Sequence, residues 1–176
     1  MTNQNKGELI NRVANSGLIT IKLEEYYPEK KILPFDIKDY LFKGLILKEK
    51  DFRQALKEMD WSQLDGDILA VYCSTDAIIP QWAYMLVTAS ATPYFEDIRN
   101  NNPDEIITEL MLERIREELK FDSFEGKRIV VKGCADKTIP SAAFMEVTRG
   151  LQPFAQSIMY GEPCSTVPIF KRPRKV

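Results

Sequence analysis

Histidine is absent from this 176-residue chain. That removes the commonest general base near neutral pH and the commonest metal ligand. Hydrolases whose serine or cysteine depends on a histidine are excluded within the chain. Acid–base work would fall to carboxylates, lysine, tyrosine or thiols, and a metal would need Cys, Asp, Glu or backbone oxygen. Cysteine is scarce too. There are three, an odd number, with no CxxC pair, so a disulfide framework is not expected. Nor is there a strong charge of either sign, with 24 Lys+Arg against 26 Asp+Glu; without a basic field, nucleic acid is not an expected partner. Eighteen apolar residues never run together, and the opening MTNQNKGELI is polar. The expectation is a soluble cytoplasmic protein with no membrane partner and no apolar signal region.

What is present is a repeat. Ile68 to Thr88, ILAVYCSTDAIIPQWAYMLVT, falls without a gap on Arg128 to Thr148, RIVVKGCADKTIPSAAFMEVT, when the chain is slid by 60 residues. Asp76, Ile79, Pro80, Ala83, Met85, Val87 and Thr88 match Asp136, Ile139, Pro140, Ala143, Met145, Val147 and Thr148, seven identities in thirteen positions, where chance gives about one. Gly66 and Gly126 precede the copies, and Pro93 and Pro153 follow them. Each copy reads as an apolar strand, a loop holding a cysteine and an aspartate, and a helix opened by proline.

In chain order, Glu8 to Ala14 has the makings of a short helix. Leu18 to Leu23 alternates as a half-buried strand, and Ile32 to Ile37 reads as a second strand, antiparallel to the first. Asp36 is placed to cap a short helix through Lys43, which Gly44 would end. Asp51 is placed to cap a clearer helix carrying Phe52, Ala55, Leu56 and Met59 on one face. Strands at 68–73 and 128–133, helices at 80–92 and 140–152, and short strands near Ile98 and Ile158 come from the repeat. Asn102-Pro103-Asp104-Glu105 starts another helix, with Ile106, Leu110, Met111, Ile115 and Leu119 as its apolar face. Cys164 to Val176 reads as a proline-rich, basic tail.

This order predicts one α/β domain with a mainly parallel sheet built on the duplicated unit, and an N-terminal β-hairpin and helices packed on it. The divisions are 1–60 for the hairpin and helical part, 61–100 and 121–161 for the repeats, and 162–176 for the tail. Strands 68–73 and 128–133 are expected in one central sheet, their carboxyl ends pointing the same way.

The candidate site follows from that sheet. Cys73 and Cys134 end the repeat strands and Cys164 follows the last strand, so one sheet edge would gather all three. With Asp76 or Asp136 as a further ligand, three thiolates suit zinc or an iron–sulfur cluster. Two other readings stay open: a low-pKa thiol acting as sulfur carrier or redox group, and buried cysteines in a non-enzymatic protein that binds a partner through an exposed edge or apolar patch. Asp76 and Asp136 also stand where a carboxylate can accept bonds from loop and first-turn amides.

NRVANSGL, FDIKDYLFKGLILKEKDFR, the two Cys/Asp loops and GEPCSTVPIFK, in that order, resemble the domain of unknown function 2480 family from about Ile10 to Lys171. The family has no assigned activity. The resemblance carries an association with gene neighbourhoods for iron–sulfur cluster assembly, which implies protein partners in that process and favours the cluster or sulfur readings.

Overall fold

The computed structural model describes residues 17–133 and 136–173; the expected helix at 8–14 lies outside them. The chain divides into two compact units. A central unit spans Pro28–Leu110, and a terminal unit joins Met1–Tyr27 to Met111–Val176.

The central unit holds a three-stranded parallel sheet in the order β2 (Ile32–Asp36), β5 (Ile68–Tyr72), β6 (Asp97–Arg99). Between β2 and β5 come a small antiparallel hairpin, β3 (Leu41–Phe42) and β4 (Ile46–Leu47), and helix α1 (Glu49–Glu58). Helix α2 (Gln81–Ala91) connects β5 to β6. Leu69 and Val71 join Phe35, Phe52, Trp61, Ala83 and Val87 in one buried cluster. Ile68 and Ala70 pack with Ile106 in another. Alternate β5 side chains thus feed two separate apolar clusters, which is why the strand reads as an unbroken apolar run. Helix α3 (Pro103–Glu118) begins in this unit. It starts where the sequence places it, with a reciprocal cap: the Glu105 amide donates to Asn102 Oδ1 at 3.0 Å, and the Asn102 amide to Glu105 Oε2 at 3.4 Å.

The terminal unit repeats the plan. Its sheet runs β1 (Leu18–Lys22), β7 (Arg128–Lys132), β8 (Ser157–Glu162), β9 (Ser165–Lys171), the first three parallel and the last antiparallel to β8. Helix α4 (Ser141–Leu151) connects β7 to β8. The duplication extends to register: Ile68 pairs with Asp97 as Arg128 pairs with Ser157, each 60 residues on. The Glu96 amide donates to Asp67 O at 2.9 Å and the Gln156 amide to Lys127 O at 2.8 Å, again 60 apart. Thr88 and Thr148 bond back to the carbonyls of Tyr84 and Phe144, a local role that explains that identity. Shared glycines serve different ends. Gly126 sits at φ 68, whereas a Cβ on Gly66 would meet Leu33 Cβ at 2.9 Å.

Two expectations are corrected. Strands β5 and β7 belong to different sheets: β5 lies between β2 and β6, β7 between β1 and β8, and no strand of one sheet bonds to a strand of the other. Likewise β1 and β2 do not pair with each other; each lies parallel to a repeat strand, and the N-terminal hairpin is β3–β4. Here a second duplication emerges, offset by 14. Each of β1 and β2 is five residues long and runs into a 3-10 helix, Leu23–Tyr26 or Ile37–Tyr40, whose first residue is fully buried. Smaller differences are local. Asp36 does cap, its carboxylate accepting from the Lys38 amide, but the helix lasts only to Tyr40. Helix α1 starts at Glu49, so Asp51 lies in its first turn. Residues 165–171 of the expected tail form β9. Among the described residues, no helix is long and apolar enough to cross a membrane.

Candidate functional site

The sequence pointed to Cys73, Cys134, Cys164, Asp76 and Asp136. Cys73 follows β5 in the central unit, half-buried against its apolar cluster, with Sγ 3.3 Å from Thr75 Oγ1. Cys164 is exposed in the turn between β8 and β9 of the terminal unit. Cys134 lies outside the described residues. Asp76 and Asp136 are both exposed. The premise that one sheet edge gathers the thiols fails, because β5 and β7 end in separate sheets. Among the described residues, no group of three or more Cys, Asp or Glu side chains could hold a metal ion.

Neither repeat helix is capped by a side chain; Pro80 and Pro140 occupy the cap positions. The first repeat loop is held instead by Asp36, which the sequence marks only as a helix cap. Asp36, at the end of β2, accepts the amides of Ser74 and Lys38 on one oxygen, each at 3.0 Å. Burial acts to raise its pKa, but the hydroxyl and amide of Ser74 and the amide of Lys38 outweigh it, so the carboxyl sits below its ordinary value. The signal for this role was the strand–cap–strand pairing, which the hairpin reading concealed.

Exposed apolar side chains converge elsewhere. An open groove of about 610 Å³ in the terminal unit has one wall from α4 and a floor from β7, β8 and β9. Phe144 and Tyr160 meet edge to face, with ring centroids 5.6 Å apart. Met145 is 71% exposed, Ile169 52% and Tyr160 49%. Strand β9 creates this surface. It adds a fourth strand, and its pairing skips Ile169, since Ile158 faces Phe170 and Met159 faces Pro168. Such a bulge re-aims a side chain, and Pro168 offers no amide to a further strand. Met85, in the same place on α2, is equally exposed, but the chain after β6 enters α3 instead of returning as a strand. Sequence reasoning missed the groove because prolines at 163, 168 and 173 made the last segment read as tail.

The model of the family described as "Protein of unknown function (DUF2480)" matches residues 7–172. The chain belongs to that family. No curated protein and no solved structure matches. The DUF2480 match covers residues of both units, all three cysteines and every residue of the groove.

Among the described residues of this DUF2480 protein, one charge is buried. Glu146 of α4 is 8% exposed and receives Arg116 Nε at 3.0 Å and Arg149 at 2.6 Å. The hydrogen bond from Arg116 does most to hold its carboxyl below the usual glutamate range, against burial and with help from Arg149. A lowered folded pKa means stability that is complete above the unfolded value and is lost as pH falls through the folded one. The other copy has Leu86 here. Glu146→Ala is expected to cost about 1–3 kcal/mol; both guanidinium groups are more than half exposed and can rehydrate. Glu146→Leu should stay within about 1 kcal/mol of wild type at pH 7. It should also lose less stability between pH 7 and pH 3, as urea titrations at the two pH values would show. An unchanged acid response would separate this triad from acid sensitivity.

Proposed function

We propose that this chain is a protein-interaction domain that holds an apolar segment of a partner protein in the terminal-unit groove. The observation that carries the reading is the convergence of Phe144, Met145, Tyr160 and Ile169 on one open concavity at the surface. Solvent-facing apolar groups that share a concave surface mark recognition sites, whereas scattered ones need no explanation. Packing can then supply affinity, with aromatic and methionine side chains as anchors. The zinc, iron–sulfur and thiol readings, with partners in cluster assembly, rest on the sequence and the family association; the described side chains add no geometry to them.

A phage-displayed random peptide library panned on the protein tests the groove. Enriched peptides should carry clustered apolar residues and bind Met145→Glu at least tenfold more weakly, a difference of about 1.4 kcal/mol. Met85→Glu, at the equally exposed position on α2, should bind them as wild type does. Peptides that bind Met145→Glu undiminished, with its circular dichroism unchanged, would sink the reading.

A further inference from the structure

The β3–β4 hairpin of the central unit is apolar on both of its faces. Leu41 and Leu47 pair across it and pack on the central core. Strand alternation turns the next pair away from that core, where polar side chains are the rule. The pair there is Phe42 and Ile46, 45% and 60% exposed, and Leu45 in the turn is 70% exposed. The turn is tight, with Lys43 at φ 52 and Gly44 at φ 70. Two of its amides are bonded within the hairpin, Gly44 donating to Leu41 O at 3.3 Å and Leu45 to Phe42 O at 3.2 Å. The tip can therefore leave water without stranding those donors.

The charge around the tip is of one sign. From Tyr40 to Lys48 the chain carries two lysines and no acid. Both ammonium groups lie over the Phe42 ring, Lys43 at 5.5 Å and Lys48 at 3.5 Å from its centroid. Glu49, the next residue, is held by Arg53 at 2.9 Å. The hairpin thus presents an apolar apex within a cationic collar.

We infer that this tip docks on an anionic lipid bilayer, with Phe42, Leu45 and Ile46 entering the interface and Lys43 and Lys48 meeting lipid phosphates. Hydrocarbon and anionic headgroups lie within about 5–10 Å of each other at that boundary, which matches apolar side chains set beside lysines. The long lysine stems let the charge reach the headgroups while the methylenes stay with the ring. A fluid boundary also accepts three neighbouring apolar side chains around a turn without a shaped pocket, which a protein partner would have to supply. The expectation of no membrane partner rests on the absence of a spanning run, and a tip that rests in the interface needs none. The inference uses none of the groove's residues and stands apart from the groove reading.

Co-sedimentation of the full chain with vesicles tests it, using phosphatidylcholine alone and phosphatidylcholine with about one third phosphatidylserine. Wild type should partition about tenfold or more in favour of the phosphatidylserine vesicles, and the preference should shrink as salt is raised. Leu45→Asp, and Lys43→Glu combined with Lys48→Glu, should each lower that partitioning about tenfold or more. Met145→Glu, in the groove, should partition as wild type does. Leu45→Trp should still bind, and acyl-chain-brominated phosphatidylcholine should quench its emission beyond the quenching of the wild type's own two tryptophans. Circular dichroism of each variant separates lost binding from lost folding. Equal partitioning onto both vesicles, binding indifferent to a folded Leu45→Asp chain, or a Leu45→Trp chain that binds without added quenching would overturn the inference. So would the absence of vesicle binding; tip-dependent binding of acidic peptides in that case would assign the collar to an acidic protein instead.

Discussion

Phe52→Ala is expected to destabilise the central unit by about 3–5 kcal/mol, the usual cost of removing a buried aromatic ring. Phe52 is 1% exposed and is the main side chain through which α1 enters the core. Its ring stands edge-on to Tyr40, centroids 5.2 Å apart, and lies 6.3 Å from the Trp82 ring. Tyr40 stacks on Phe35, which stacks on Trp61. Truncation therefore removes transfer energy and opens a void that rigid aromatic neighbours refill poorly. The chain's two tryptophans, Trp61 and Trp82, both lie in this unit. Denaturant titration followed by tryptophan fluorescence thus reports the central unit alone, and its midpoint should fall sharply. A shift worth less than about 1 kcal/mol would mean that the aromatic cluster closes over the loss.

The second large effect belongs to the other unit. Ile129 sits at 0% exposure in β7, with β1 bonded on one side and β8 on the other. Ile129→Ala should cost about 2–5 kcal/mol. It also replaces a β-branched residue, well suited to a covered strand, with one that is not. The terminal unit has no tryptophan, so far-UV circular dichroism is the appropriate probe. Part of the dichroism change should move to lower denaturant. Its counterpart in the first copy is Leu69, also 0% exposed, and Leu69→Ala should produce its matching loss in the fluorescence signal. An Ile129→Ala transition that overlays wild type would contradict the central place given to β7.

These losses fall on residues the sequence marks clearly. The apolar runs at 68–72 and 128–132, the proline-opened helices and the Asn102 cap all depend on neighbours within a few positions, and local patterns are legible. Even β6 formed in the polar FEDIRNNN. Ile98 packs against the central core while Asp97 and Arg99 pair with each other, and Arg99 also with Glu109. Pairing was not legible. Two adjacent strands joined by a short charged turn read as a hairpin, yet β1 and β2 each take a partner far along the chain. The 14-residue duplication escaped notice because the strands share spacing rather than identity; Ile21 answers Phe35, and Leu23 answers Ile37. The expected common edge for the thiols rested on the same reading of the sheet; β5 and β7 lie in separately bonded sheets, so no single sheet edge carries both strand ends. The groove draws on β9, where Pro168, with Pro163 and Pro173 on either side, masks a strand made mostly of β-formers.

The unequal reach of β1 and β2 bears on the order of assembly. Ile32 finds its partner 36 residues away at Ile68, whereas Leu18 must find Arg128, 110 residues on. Closing the longer loop costs about 1 kcal/mol more in chain entropy. Everything the central unit needs lies in one uninterrupted segment that ends at Leu110. On a ribosome that segment is complete before any residue of β7 has been made, while β1 has no partner until Arg128 and the residues after it follow. The unit in the middle of the sequence is thus free to fold first, and the two ends of the chain close last.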